Sequence, residues 1–245
     1  MKKILLLLCI LLSQFNHLSA LSLGDGLWTD FEGVLNGKKI KLSLFRNGTD
    51  SVIGNYCNGD NETRVYIHGT YKNNVLFLVE GNVLGFKAII KGKLYASKNN
   101  EVIKGFRIDR KIGKAEQFEL RVVSMVGGNI EKRYSDAANN DEAIEAYMQK
   151  VKSAFLLSDS KWLAKQMIYP CHVSIGNGKT KDLKNEQEFI QYFPQINNDN
   201  FKKALKETCT CNLFHNYQGI MLGSGEIWIE NGPEPVRFVV IGLNN

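Results

Sequence analysis

Ile40-Lys-Leu42-Ser-Leu44 and Val65-Tyr-Ile67-His-Gly69 alternate apolar with polar side chains, the period of strands that bury one face. Segments of this kind, rich in β-branched and aromatic residues, fill residues 27–126 without a proline or a helical period. They predict eight strands: Leu27–Leu35, Lys38–Phe45, Ser51–Tyr56, Arg64–Tyr71, Val75–Glu80, Phe86–Leu94, Val102–Ile108 and Gln117–Val123. Turn dipeptides such as Asn36-Gly37 join them, so we predict an antiparallel meander closed into a β-barrel, which removes the exposed edges.

The hydrophobic period changes after this region. Residues 127–140 are glycine-rich and polar and predict a linker, whereas residues 141–245 predict an α+β domain. Asp141–Leu157 has apolar residues at helical spacing and an acidic first turn. The rest predicts a helix, a hairpin, two short helices and returning strands: Ser160–Ile168, Cys171–Ile175 with Lys179–Leu183, Glu186–Phe193, Asn200–Glu207, Cys211–Glu230 and Val236–Leu243. Such an order predicts a curved sheet that wraps around helices.

The amino terminus predicts export. Basic residues in Met1-Lys2-Lys3 precede the apolar run Ile4–Leu12, and the small residue Ala20 ends a short polar stretch. This is the pattern of a secretory signal peptide cleaved near Ala20, which would make the mature chain periplasmic or secreted, with an uncleaved anchor helix as the alternative. No later apolar run is long enough to span a membrane. Sequons at Asn47 and Asn61 would matter only in a eukaryotic secretory pathway.

Positive charge is concentrated in the first half of the chain. Residues 28–126 hold 16 Lys and Arg against 10 Asp and Glu, whereas residues 141–245 hold 11 against 12. The densest basic region is the candidate surface for an anionic lipid, a glycan or an acidic partner: Lys104, Arg107, Arg110, Lys111 and Lys114. A solvated rim of strands and turns is the alternative interpretation. No recognition motif accompanies these residues, so we expect no nucleic-acid partner.

The cysteines that follow the predicted cleavage site are Cys57, Cys171, Cys209 and Cys211. In an exported protein they are expected to form disulfides. Cys209 and Cys211 lie two apart in a predicted strand, where a bond between them would be strained. We therefore predict a bridge from Cys171 to Cys211 or Cys209, with Cys57 either a thiol or a link between the halves. A zinc site with His172 and His215 is the alternative, but a C-x-C without a second chelating pair is weak support, so we predict no metal and no cofactor.

Both halves resemble known folds. Trp28, the hairpin sequence Phe31-Glu-Gly33-Val-Leu and glycine-led strand starts such as Gly69-Thr-Tyr71 resemble the calycin barrels of the lipocalin and avidin group. The leading helices, Ile168-Tyr-Pro170-Cys-His-Val173 and Gly225-Glu-Ile-Trp228-Ile are similar to the nuclear-transport-factor-2-like cone fold. The combination is similar to exported bacterial proteins that pair such modules. The resemblance implies pockets rather than a chemistry, and it makes a homodimer possible.

The cone resemblance implies a cavity lined by candidate ligand-binding residues: Trp162, Tyr169, His172, Tyr192, His215, Tyr217, Glu226 and Trp228. In an enzyme of this fold, His172 or His215 would be the base and Tyr192 or Tyr217 the donor. The alternative is that the tryptophans are core residues and the histidines bond locally or face solvent. In the barrel, aromatic residues are expected to fill the interior rather than line a cavity: Trp28, Phe31, Tyr56, Tyr66, Phe77, Phe86, Phe106 and Phe118.

Three functions follow from these patterns, in order of preference. The first is a non-catalytic exported protein that binds a small apolar ligand or a component of the cell envelope. The second is an inhibitor or immunity protein whose basic region, around Arg107 to Lys114, blocks the acidic site of a toxin or lytic enzyme. The third is an enzyme in the cone domain. We predict no specific catalytic residue, because the sequence contains no assembled catalytic set.

Overall fold

The structure is a computed structural model that describes residues 23–48, 50–58, 63–82, 85–97, 100–134, 140–176, 178–232 and 238–244. The predicted signal peptide, its cleavage site near Ala20 and the sequon at Asn61 lie outside these residues, as does Thr49 of the first sequon. No helix among the described residues is long and apolar enough to cross a membrane.

The first half forms a closed antiparallel β-barrel of eight strands, each paired with its sequence neighbour and the last with the first. The strands are β1 Trp28–Leu35, β2 Lys38–Asn47, β3 Ser51–Asn58, β4 Arg64–Lys72, β5 Val75–Asn82, β6 Gly85–Ser97, β7 Asn100–Asp109 and β8 Ala115–Val126. Asn36 and Asn73 have positive φ, as the tight hairpin turns require. The prediction of a closed meander is confirmed.

Hydrophobic side chains fill the barrel. The interior contains large buried residues from every part of the wall, among them Phe31, Leu42, Leu44, Leu78, Leu94, Ile103 and Leu120. Phe31, Tyr56 and Phe118 belong to this core, as predicted. The prediction is wrong for Tyr66, Phe77 and Phe106, which alternate with interior residues and are exposed on the outer face.

A charged cluster links inward-facing side chains of β3, β5 and β7 with Glu116 on β8. Arg107 donates hydrogen bonds to both carboxylate oxygens of Glu80, at 2.6 and 2.8 Å, and lies 3.3 Å from Glu116. Tyr56 donates to Glu80 across 2.8 Å. Because Arg107 shares a strand face with the core residue Ile103, its side chain turns inward rather than toward a partner.

The second half is an α+β unit. Its elements are α1 Asp141–Leu156, α2 Ser160–Ala164, β9 Met167–Ser174, β10 Thr180–Leu183, α3 Glu186–Ile196, α4 Asp199–Glu207, β11 Phe214–Asn216, β12 Gly219–Leu222, β13 Ile227–Asn231 and β14 Phe238–Leu243. The sheet order is β10-β9-β14-β13-β12-β11, with only β14 and β9 parallel among these pairs. The side chains of Asn140, Asp159, Asn185 and Asn198 cap the four helices.

Phenylalanines fill the space between this sheet and its helices. Phe155 contacts Phe193 and Phe201, and Phe189 contacts Phe193, within a large buried core. Two predicted boundaries are wrong. The second helix ends at Ala164 rather than Ile168, because a short turn follows and Met167 already begins β9, which pairs with β14. The stretch Cys211–Glu230, predicted to return to strand, starts as a loop and becomes strand only from Phe214 onward, in three short strands.

Candidate functional site

A carboxylate from α1 and a guanidinium from β4 meet where the barrel joins the α+β unit. Glu145 forms an ion pair with Arg64, and both side chains are largely buried, with 12% and 18% of their surfaces exposed. The helix begins at Asp141 because the Asn140 side chain accepts a hydrogen bond from the Ala143 backbone, so Glu145 follows one turn later and faces the barrel.

Further hydrogen bonds hold the Glu145 carboxylate in place. One oxygen accepts from the Asn212 backbone at 2.8 Å and from the Tyr134 hydroxyl at 2.9 Å. The same hydroxyl accepts from the Leu213 backbone at 2.7 Å. Asn212 has a φ of 51°, a left-handed conformation that asparagine tolerates, and its side chain donates to Asn55 on β3 at 2.8 Å. The carboxylate is therefore fixed by three separate parts of the chain.

Burial changes the ionisation of this cluster. Burial raises the pKa of the Glu145 carboxyl above its usual range, although Arg64 and the Asn212 N–H pull in the opposite direction. Burial and the neighbouring Glu145 raise the pKa of the fully buried Tyr134 well above its ordinary value. Tyr134 therefore stays neutral and serves as a hydrogen-bond donor to Glu145.

A second buried ion pair ties the predicted linker to the barrel. Arg133 bonds both oxygens of Asp30 on β1, at 3.0 and 2.6 Å, and both side chains are almost fully buried. The guanidinium also donates to Ser43 on β2 at 2.8 Å and to the Leu213 carbonyl at 3.0 Å. Ser124 donates to Asp30 at 2.6 Å. The two halves are thus joined through a desolvated, hydrogen-bonded contact rather than a loose tether.

Arg64, Asn55, Arg133, Glu145 and Asn212 line an open groove of about 630 Å³, which we call the Glu145 groove. Its lining comes from both halves: Trp28, Ile53, Gly54, Asn55, Arg64, Tyr66, Ile67, His68, Ile130, Glu131, Lys132, Arg133, Asn140, Asp141, Glu142, Glu145 and Asn212. Carboxylates, amides and cations are interspersed with the rings of Trp28, Tyr66 and His68. Such a lining offers many hydrogen-bond donors and acceptors together with aromatic faces.

A second groove, of about 660 Å³, lies on another side of the junction, and we call it the Cys209 groove. It is lined by Glu32, Gly33, Val34, Lys39, Ile40, Lys41, Arg121, Val123, Ala204, Glu207, Thr208, Cys209, Leu213, Met221, Gly223, Ser224 and Glu226. Among the predicted ligand-binding residues, Glu226 belongs to this lining. Its carboxylate accepts a hydrogen bond from the Ser224 backbone at 2.6 Å.

The disulfide joins Cys57 on β3 to Cys211, so the prediction of a bridge from Cys171 is wrong. Cys171 is a buried thiol on β9, and burial raises its pKa to about 12. The error came from treating Cys211 as the start of a strand near β9, whereas the loop after α4 carries it onto the barrel. The alternative in which Cys57 links the halves matches the structure. The sulfurs of Cys57, Cys209 and Cys211 all lie within 4.8 Å of one another, but two of them are used by the disulfide.

The other predicted ligand-binding residues are spread over the α+β unit. Trp162, Tyr169 and Tyr192 pack against its core. His172 is exposed beside Asp182, at 2.7 Å, and Trp228 lies on the same outer face of the sheet. His215 contacts the Gly127 carbonyl at 3.0 Å and the edge of the Tyr134 ring, and Tyr217 is 96% exposed. Their joint role in binding stays a prediction.

The predicted partner-binding residues also differ in their surroundings. Arg107 is bonded inside the barrel. Lys104 forms an exposed ion pair with Glu119, and the exposed Lys114 pairs with the largely buried Glu116. Arg110 lies over the Phe86 ring, 4.4 Å from its centroid, and the exposed Lys111 donates its backbone N–H to Asp109. Arg107 therefore does not contribute to an exposed basic surface with the other four predicted residues.

Sequence reasoning missed Arg64, Tyr134, Glu145 and Asn212. The sequence offered only weak signals for them. Tyr134 is an aromatic residue in an otherwise polar linker, and Glu145 is an acidic residue next to the apolar face of a helix. Asn212 and Arg64 lie 67 and 81 residues from Glu145 in sequence, so no local sequence pattern indicates that they meet. In comparisons with known proteins, no protein-family model matches the chain and no curated protein is significantly similar to it.

Proposed function

We propose that this chain is an exported binding protein that takes a polar ligand in the Glu145 groove. The observation that carries the proposal is an open groove whose lining combines the exposed Tyr66 ring with charged side chains and the fixed Arg64–Glu145 ion pair. Side chains held in place before the ligand arrives lose little entropy on binding. Because hydrophobic residues fill both the barrel and the cone, an apolar ligand has less support than a polar component of the cell envelope.

The lining indicates the ligand's chemistry. Lys132 suits a carboxylate, Glu131 and Glu142 suit hydroxyl and amide groups, and the exposed Tyr66 offers a ring face for stacking. Envelope glycans and glycopeptides carry all of these groups. The volume of about 630 Å³ lies within the usual range for small-ligand sites.

The family and location assignments are part of this proposal. A closed meander barrel supports a calycin-type first half, and a mixed sheet packed on helices supports an NTF2-like second half. A disulfide between the halves and the basic, apolar amino terminus support export through a cleaved signal peptide.

Isothermal titration calorimetry with muramyl dipeptide, which carries sugar, amide and carboxylate groups, tests the proposal. We expect binding by the wild type and no heat from laurate. Tyr66→Ala should weaken binding about tenfold or more, since it removes the exposed stacking face. Tyr66→Phe keeps the ring and loses only the hydroxyl that bonds Arg64, so it should bind nearly as well as the wild type. Lys72→Met is the matched control, because Lys72 lies at the far end of the same strand and pairs with Asp50. Binding of laurate but not muramyl dipeptide would contradict a polar site.

A second candidate, the inhibitor, is favoured by one surface. The outer face of β5, β6 and β7 exposes Phe77, Tyr95 and Phe106 among lysines. Lys91 lies over Phe77 and Lys93 over Tyr95, each 5.6 Å from the ring centroid. Capture from an envelope extract should recover an acidic protein that the double variant Lys91→Glu and Lys93→Glu no longer retains. Equal recovery by both forms would count against this surface.

A further inference from the structure

Cys209 lies beside the disulfide that joins the two halves. Its sulfur is within 4.8 Å of the sulfurs of both Cys57 and Cys211, and it accepts a hydrogen bond from the Cys211 backbone at 3.4 Å. Thiol–disulfide exchange proceeds by attack of a thiolate on one sulfur of the bond. In this cluster the sulfurs of Cys209 and Cys211 both lie near the sulfur of Cys57, so either could be bonded to it.

The three sulfurs differ in their access to solvent. Cys57 is fully buried and Cys211 nearly so, whereas Cys209 is partly exposed and lines the Cys209 groove. A reagent in the groove therefore reaches Cys209 before it reaches the disulfide.

The backbone around the cluster keeps both loop cysteines over the barrel. Cys57 is fixed within β3, while Cys209 and Cys211 lie in the loop between α4 and β11. Lys152 donates to the Thr208 carbonyl at 2.6 Å, and the Thr210 hydroxyl donates to Gln149 at 2.6 Å. These bonds anchor the loop to α1, so either cysteine remains near Cys57 whichever one is bonded.

We propose that the Cys209 thiol exchanges into the interdomain disulfide. After Cys209 loses its proton to solvent, its sulfur attacks the sulfur of Cys57. The Cys57–Cys209 bond forms as the Cys57–Cys211 bond breaks, and Cys211 leaves as a thiolate that takes a proton from solvent. One disulfide and one thiol are present before and after, so no oxidant or reductant is needed. The halves stay joined while the position of the link shifts by two residues.

Alkylation of the native wild type by iodoacetamide at pH 8, without reductant, tests this exchange. After an acid quench and digestion at low pH, mass spectrometry should find carbamidomethyl groups on both Cys209 and Cys211. Peptides linked Cys57–Cys209 should match the fraction alkylated at Cys211. Alkylation confined to Cys209, with Cys57–Cys211 as the sole linked pair, would overturn the proposal.

A variant provides the second measurement. Cys211→Ser should still contain an interdomain disulfide, now Cys57–Cys209. Alkylation of both Cys57 and Cys209 in the folded variant would overturn the proposal. Cys171 is the matched control thiol, because it is buried away from the cluster. It should be alkylated at least about tenfold more slowly than Cys209 in the folded protein. Cys171→Ser should leave the wild-type pattern of linked peptides unchanged, and loss of the Cys57–Cys209 peptide in that variant would also overturn it.

Discussion

Replacing Arg133 with methionine should be among the most damaging single changes in this protein. The guanidinium is buried at the junction, where it bonds both oxygens of Asp30 and the Leu213 carbonyl. Methionine keeps much of the length but none of the donors. Asp30 would remain buried with only the hydroxyls of Ser43 and Ser124 as hydrogen-bond donors among the side-chain contacts described above.

The expected loss follows from the geometry. Removing one partner of a buried, hydrogen-bonded ion pair typically costs about 3 to 5 kcal/mol, because the other charge stays desolvated. With a urea m-value of about 2 to 3 kcal/mol/M, the unfolding midpoint should fall by about 1 to 2.5 M. Restoring charge balance should recover much of this loss, so Asp30→Asn combined with Arg133→Met should be more stable than Arg133→Met alone.

Urea unfolding followed by circular dichroism, on the wild type, both single variants and the double variant, measures this coupling. The reasoning would be refuted by a loss below about 1 kcal/mol in Arg133→Met. It would equally fail if the double variant were no more stable than Arg133→Met.

Three further predictions concern other features. Cys57→Ser should lower the free energy of unfolding by about 2 to 5 kcal/mol, because the disulfide closes a separation of 154 residues. Urea unfolding without reductant measures this loss, and unchanged stability would mean that the bond does not form. Burial holds the pKa of Glu145 above its unfolded value of 4.5, so the folded state binds more protons than the unfolded state just above pH 4.5. The stability of the wild type relative to Glu145→Gln should therefore fall as the pH rises. A stability difference that does not change with pH would contradict this. Gly105→Ala should lower stability by about 1 to 3 kcal/mol in thermal unfolding, because the added Cβ would overlap the Lys91 carbonyl. Gly85→Ala is the control, since its Cβ meets open space, and it should lower stability by less than about 0.5 kcal/mol. Equal losses in the two variants would argue against close packing at Gly105.

The barrel could be predicted from the sequence because its order is local. Alternation with period 2, seen in Ile40-Lys-Leu42-Ser-Leu44, defines the strands, and tight turns such as Asn36-Gly37 force neighbours to pair. Pairing each strand with the next leaves one unpaired edge on β1 and one on β8. The barrel closes because these two edges pair with each other.

The groove could not be predicted in the same way. Arg64 begins a strand and Glu145 lies in an ordinary helix turn, so neither is unusual until the halves dock. Docking depends on Arg133 in a stretch that reads as a polar linker, and on a loop that turns at Asn212. The disulfide was mispredicted for the same reason, since the loop carries Cys211 away from β9 and onto Cys57. Local patterns carry no information about such contacts between distant segments.

Native mass spectrometry of the protein purified gently from its own host tests the central claim most directly. The proposal predicts a retained compound that fragments into sugar or amino-acid units and that is lost from Tyr66→Ala purified in parallel. Retention of a lipid, or equal retention of the same compound by wild type and Tyr66→Ala, would contradict a polar ligand in the Glu145 groove.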